Sequence, residues 1–344
     1  MATDRRPPFA VSSGTWLLLA VCLGFAPAAN AQMWGGSYDP DWANHVSIGG
    51  MVGLNIKADF KRGGVFNLPV TPGVYDDGYV QPSQNANGLT SNWGYENASQ
   101  LVGQTLTMHQ TTAYETAGSS ESFNGDPFPG FQLTYGGNFW YVGRTRVGFE
   151  FGFGWLPINI TANESAPATA DQSTYLFNTG GITVPPAPYH GTSAGYGPSI
   201  PSTGTSGPAT NGAPGTLTGT QTLDVNLFTF RLGPSVYWDF NRHLGMSLGA
   251  GPALGYVPGR LEYNETITAN GVPARNQGKI SVSDVVYGWY VNTMLTYHLV
   301  RNGDIFVAAE YMPLGTASLG GGNHSAQLDL KGQVYLSAGI NWPF

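Results

Sequence analysis

Charge is scarce in this chain. Asp, Glu, Lys and Arg together make up 10% of its 344 residues, against about 25% in an ordinary soluble domain. With 14 Lys+Arg against 21 Asp+Glu there is no basic surplus to meet nucleic acid. Coiled coils and typical cytosolic enzymes are excluded on the same ground. Cysteine is nearly missing, with Cys22 the only one. Beyond residue 31 no apolar run approaches the roughly 20 residues of a helical membrane span. What the chain does hold is 49 Gly, 24 Pro and 13% aromatic residues. Disordered chains are poor in aromatics, so disorder is excluded as well. An all-β protein, secreted or in an outer membrane, remains.

The N-terminus reads as a processing signal. Arg5 and Arg6 precede the apolar run Trp16–Phe25, and Ala29 and Ala31 supply the small residues of a cleavage site. Residues 1–31 are therefore expected to be removed, 32–44 to form a short periplasmic segment, and 45–344 to form the folded body. Loss of Cys22 would leave no thiol for a disulfide or a metal site.

Period-two alternation dominates the rest. Val46, Ile48, Val52, Leu54, Ile56 and Ala58 share one face near the start. Leu328, Leu330, Val334, Leu336, Ala338, Ile340, Trp342 and Phe344 share one at the end. Three hairpins lie between: 131–142 with 146–160, 223–240 with 244–257, and 282–298 with 304–312. They turn at Gly143-Arg144-Thr145, Asn241-Arg242-His243 and Arg301-Asn302-Gly303. The count is eight strands. Short turns alternate with longer connections at 61–130, 162–222, 258–281 and 313–326. That predicts an eight-stranded antiparallel up-and-down transmembrane β-barrel with long extracellular loops.

Charge and aromatic placement agree with this. Lys57, Asp59, Arg146, Glu150, Arg231, Asp239, Asp284, Glu310, Asp329 and Lys331 all fall opposite the apolar stripe. Phe139, Tyr141, Trp238, Phe240, Tyr297, Trp342 and Phe344 form one interfacial girdle, and Trp155, Tyr256, Trp289 and Tyr311 the other. A soluble lipocalin-type barrel has the same period with the two faces exchanged.

Eight strands leave a lumen that side chains can fill. Lys57, Arg146, Glu150, Arg231, Glu310 and Lys331 are the expected lumen ion-pair residues, with Glu310 and Lys331 as partners and Asn292 orienting the carboxylate. Glycines 148, 152 and 154, and 245, 249, 251 and 255, leave room for bulky side chains opposite or for a narrow cavity. Pro234 and Pro252, each after a glycine, predict a bulge or weak ladder between their strands. The loop at 162–222 is rich in Pro, Gly, Ser and Thr and reads as extended surface with no core of its own. Tyr75, Tyr79, Trp93, Tyr95 and Tyr114 in the first loop either pack it onto the rim or serve adhesion and glycan stacking.

Read to its end at Ile340-Asn341-Trp342-Pro343-Phe344, the chain resembles small Gram-negative outer-membrane barrels, the OmpA-transmembrane-domain and OmpW-like group. The resemblance implies that Trp342 and Phe344 form a recognition signal for the barrel assembly machinery. It also implies periplasmic chaperones during biogenesis, outer-membrane lipid and lipopolysaccharide around the wall, and a lateral opening for an apolar ligand. No HExxH, CxxC or phosphate-cradling motif occurs, so neither catalysis nor a cofactor is expected. Asp76-Asp77 is too few oxygens for calcium, and no metal is expected. The expected role is structural, adhesive or receptor-like, with a possible extracellular ligand and no nucleic-acid partner. A narrow channel for small apolar molecules and an outer-membrane lipid-modifying enzyme are the alternatives.

Overall fold

The computed structural model describes residues 44–82, 88–125, 127–142, 145–193, 197–299 and 303–344. Residues 1–31, expected to be a signal segment, nearly all of 32–44, and the expected turn residues Gly143, Arg144, Arg301 and Asn302 lie outside them. Twelve strands carry the architecture: β1 (Asn44–Leu54), β2 (Lys57–Asn67), β3 (Thr105–Asn124), β4 (Phe128–Val142), β5 (Thr145–Asn178), β6 (Thr210–Asp239), β7 (Leu244–Ala269), β8 (Val272–Leu299), β9 (Gly303–Tyr311), β10 (Thr316–Gly321), β11 (His324–Asp329) and β12 (Val334–Pro343). A lower ring runs β1-β4-β5-β6-β7-β8-β9-β12 and closes where β12 pairs with β1. Above it, β11-β2-β3-β5 continues the sheet, with β10 paired to β11. Ser318 on β10 donates its amide to Asp284 on β8 at 2.7 Å, bringing the last gap together. β1 runs on into β2, β3 into β4, β9 into β10 and β11 into β12. The eight expected strand paths are therefore all present, up and down and antiparallel.

The wall is much taller than alternation suggested. β5 alone has 34 residues, about 110 Å of extended chain at ~3.3 Å per residue. The expected loops 61–130 and 162–222 are largely strand. Thr, Ser, Ala and Gly in 161–178 and 210–222 suggested a loop by composition, yet Thr is at home in a strand. Pro167 and Pro214 are accommodated within the β5–β6 pairing. The expectation that this segment buries no core is overturned: Ala168, Ala170, Ala213 and Leu217 are buried with Phe66 and Tyr114. The β7–β8 connection shrinks to a two-residue turn, with Asn270 at φ 51° and Gly271 at φ 79°. Positive φ at both positions suits a tight hairpin.

One strand shows how the tiers differ. In β5 the residues at 146–154 that point inward are Arg146, Gly148, Glu150, Gly152 and Gly154, and Phe149, Phe151, Phe153 and Trp155 point outward. From 156 the inner set becomes Leu156, Ile158, Ile160 and Ala162, and the outer set Asn159, Thr161 and Asn163. The pleat does not change; the chemistry on its two faces is exchanged. The lower tier exposes Ile48, Leu133, Leu248, Val291, Ile305, Val307 and Leu336 around its outside. The upper tier encloses an apolar core from every path, including Phe60, Leu223, Val257, Val286, Leu314, Leu319 and Leu328. Apolar out and polar in is the architecture of an outer-membrane β-barrel; the part above it is built as a soluble barrel.

A cap covers the top. Val80, Trp93, Tyr95, Leu106, Met108, Phe177 and Ile200 form its core. Trp93 Nε1 donates to the Pro198 carbonyl at 2.8 Å and the Tyr95 hydroxyl to that of Pro185 at 2.5 Å. Trp93 and Tyr95 of the first loop thus pack against the proline-rich segment, while Tyr114 lies in the upper barrel core.

Candidate functional site

Among the described residues, three buried polar clusters occupy the interior. The central one, in the lower tier, is organised by Arg231 on β6. Its guanidinium pairs with Glu150 on β5 and, through Nε at 2.8 Å, with Glu310 on β9. It also donates to Thr134 at 3.1 Å and lies 5.1 Å from the centre of the Tyr290 ring. Asn292 on β8 donates to Glu150 at 2.9 Å. A side chain at Gly152 would collide with the Arg231 guanidinium, so that glycine makes the room the arginine occupies. The space remaining beside this cluster is about 10 Å³ for the centre of a water, room for about one molecule.

The second cluster lies toward the short turns. Arg146 pairs with Asp239 at 2.5 Å and stands 4.3 Å over the Tyr237 ring. His298 sits between Asp304 at 3.0 Å and Asp239 at 3.2 Å. Asn341 donates to Asp304, and Ser47 to Asn341 at 2.6 Å. Of these, Asp239, His298 and Asp304 were not among the expected pairing residues, although alternation from Arg231, Asn292 and Glu310 puts them on the inner face.

The third cluster is sealed between apolar layers in the upper tier, and sequence reading missed it. Arg62 on β2 pairs with Glu164 at 2.5 Å and Glu265 at 3.0 Å. Glu265 also receives His324 at 3.0 Å and the Tyr114 hydroxyl at 2.8 Å. Burial alone would raise the Glu265 carboxyl. The hydrogen bond and charge of His324, the Arg62 charge and the Tyr114 hydroxyl outweigh it, and the result lies below the usual value. Burial and the Glu265 charge hold the Tyr114 phenol up.

Two expected lumen residues are elsewhere. Lys57 and Lys331 are exposed. Asn55, at φ 62°, donates its side-chain amide to the Gly332 carbonyl and adds a residue between β1 and β2. The inward set then passes from Ser47, Gly49 and Met51 to Ile56, Ala58 and Phe60, which turns Lys57 and Asp59 out. The same change of parity between Leu330 and Gln333 turns out Lys331. The Glu310–Lys331 pair therefore does not form. The hairpin turns between Gly321 and His324, beyond the middle of the presumed loop. Glu310 consequently pairs with Tyr335, not with 328 or 329, and Asn292 holds Glu150 instead.

Pro234 and Pro252 lie at a gap in the β6–β7 ladder, between the pairs Arg231–Ala253 and Ser235–Gly249. The register on either side is the same, so there is a weak seam but no bulge. Trp342 and Phe344 are half-exposed on the outer face, and the Phe344 backbone exchanges hydrogen bonds with Asn44 at 2.8 and 3.0 Å. In the cap, Asp77 lies 2.7 Å from His109 Nδ1, and Asp76 accepts the Thr111 amide at 2.5 Å.

No family model and no curated protein matches the chain. Among solved structures, OprG of Pseudomonas aeruginosa aligns at 12% identity and TM-score 0.35, over 88% of this chain and 96% of that one. The outer-membrane protease OmpT of Escherichia coli gives 12% and 0.30, over 91% and 99%. Ail, the attachment invasion locus protein of Yersinia pestis, gives 11% and 0.27, over 87% and 99%. All three are outer-membrane β-barrels of Gram-negative bacteria. At such scores the fold assignment rests on the closed ring of this chain itself.

Proposed function

We propose that this protein is a closed outer-membrane barrel whose work is done outside the cell, holding a folded cap above the membrane in an adhesive or receptor role. The observation that carries the reading is the filled interior: an ion cluster around Arg231 below and continuous apolar layers above. A conduit would need an open path through both. The outer leaflet is the expected neighbour of the exposed Arg260, Asp224, Glu262 and Lys279 ladder just above the Trp155 and Tyr256 girdle. Trp342 and Phe344 are proposed to be read by the assembly machinery, and 1–31 to be removed beforehand.

Planar-bilayer recording of the purified barrel tests this reading. No stepwise conductance is expected, and steady single-channel openings would reject it. The ladder gap at Pro234 and Pro252 favours one second reading, a lateral passage for small apolar molecules. Uptake of an apolar tracer that falls when both prolines are replaced by valine would select that passage.

A further inference from the structure

Where the upper barrel meets its cap, two buried polar side chains stand opposite each other in register. Thr111 on β3 stands opposite Gln172 on β5, at a bulge that leaves Thr112 out of the pairing. Directly opposed residues point to the same side of a sheet, their Cβ atoms about 5 Å apart. Both are buried, at 3% and 4% exposure. The Thr111 side chain is hydrogen-bonded to Asp76, whereas Gln172 Nε2 makes no hydrogen bond, a costly state for a polar atom away from water. The groups around them are engaged. Asn270 Nδ2 donates to Gln172 Oε1 at 3.1 Å. Asp76 is fixed at Thr111 by the 2.5 Å bond from its amide.

These are the parts of an acyl transfer: a hydroxyl nucleophile, a carboxamide with a donor already on its oxygen, and a carboxylate at the nucleophile. We propose that Thr111 and Gln172 become joined by an intramolecular ester bond. Thr111 Oγ1 bonds to Gln172 Cδ, and its proton passes to Asp76 and then to the departing nitrogen. The C–N bond breaks and ammonia leaves. The step needs no oxidant, metal or second substrate. Asn270 steadies the oxygen as negative charge develops on it. Burial excludes the water that would otherwise turn Gln172 into glutamate, and it raises the Asp76 carboxyl above its usual value, making it a better base. The product ties β3 to β5 covalently in a chain whose only cysteine lies in the first 31 residues.

The test is the intact mass of the full chain, purified folded from membranes, with peptide mapping. The mass is expected to be lower by one ammonia, with a branched peptide joining the Thr111 and Gln172 segments. Thr111→Ser should retain the loss, Thr111→Val should abolish it, and Asp76→Asn should slow it. An unmodified mass for the folded wild type overturns the proposal. So does a wild-type map with no branched peptide, in which any ammonia loss falls on an N-terminal Gln32 pyroglutamate or an Asn-Gly succinimide such as Asn211-Gly212. The wild-type peptide map decides even if a variant fails to fold.

Discussion

The lower and upper tiers share strands, pleat and closure, yet each is the other turned inside out. Below, Phe149, Phe153 and Leu133 face outward and Arg231, Glu150 and Glu310 face in. Above, Leu156, Ile158 and Leu223 face in and Asn159 and Thr161 face out. Solvent accounts for the difference. Hydrocarbon gives no advantage to an apolar interior, so the lower tier fills its lumen with paired charges and meets lipid with apolar side chains. Water outside restores the ordinary hydrophobic driving force to the upper tier. Backbone hydrogen bonding is indifferent to the exchange, and the same strands serve both.

The comparison can be broken at the charge cluster. Arg231→Ala leaves Glu150 and Glu310 buried without their partner and should cost about 3–5 kcal/mol. Loss of heat-modifiable gel mobility at a lower temperature would report it, and an unchanged transition would show that the lower tier does not depend on this pair. Leu223→Ala removes a fully buried side chain from the upper core and should cost about 2–5 kcal/mol. Protease sensitivity of β5 and β6 above the membrane should rise while insertion is retained.

A positive charge on the outer face should separate the tiers. Leu133→Arg sits on the lipid face opposite Ile48 and should cost roughly 2–4 kcal/mol near mid-membrane. Thr216→Arg, exposed on the upper face, should fall within about 0.5 kcal/mol. Equal effects in folding titrations into lipid would place the boundary elsewhere.

Acid should act on the upper tier through Glu265. Its folded carboxyl lies below the usual carboxylate value, so ionised Glu265 contributes stability above that value. The contribution is lost as pH falls through the depressed one. Hydrogen exchange at β10 and β11 should quicken on acidification in wild type and lose that dependence in Glu265→Gln. The smallest effect is expected at Lys331→Ala, within about 0.5 kcal/mol; a large loss there would restore the lysine to the lumen.

Arg146, Glu150, Arg231 and Glu310 could be placed on the inner face from alternation alone, because nothing interrupts the period between them and the apolar positions beside them. Lys57 and Lys331 could not. A single left-handed residue, Asn55, and a matching irregularity before Gln333 each shift the pleat by one. Such a shift reverses every side chain beyond it. The cluster of Arg62, Glu164, Glu265 and His324 was hidden for another reason. Its members lie in segments whose Thr, Ser and Gly content resembles loop, and what makes them strand is pairing with neighbours far along the chain.

Strand number, closure and the apolar girdle were determined by the sequence itself, since a two-residue period and its turns are local properties of the chain. Which charges meet, where the wall leaves the membrane and what fills it were decided only by the tertiary structure. Glu310 chooses Arg231 over Lys331 because register is set by where the β10–β11 hairpin turns, far along the chain from Arg231. The upper core exists because eight separate paths each bring apolar side chains to the same height.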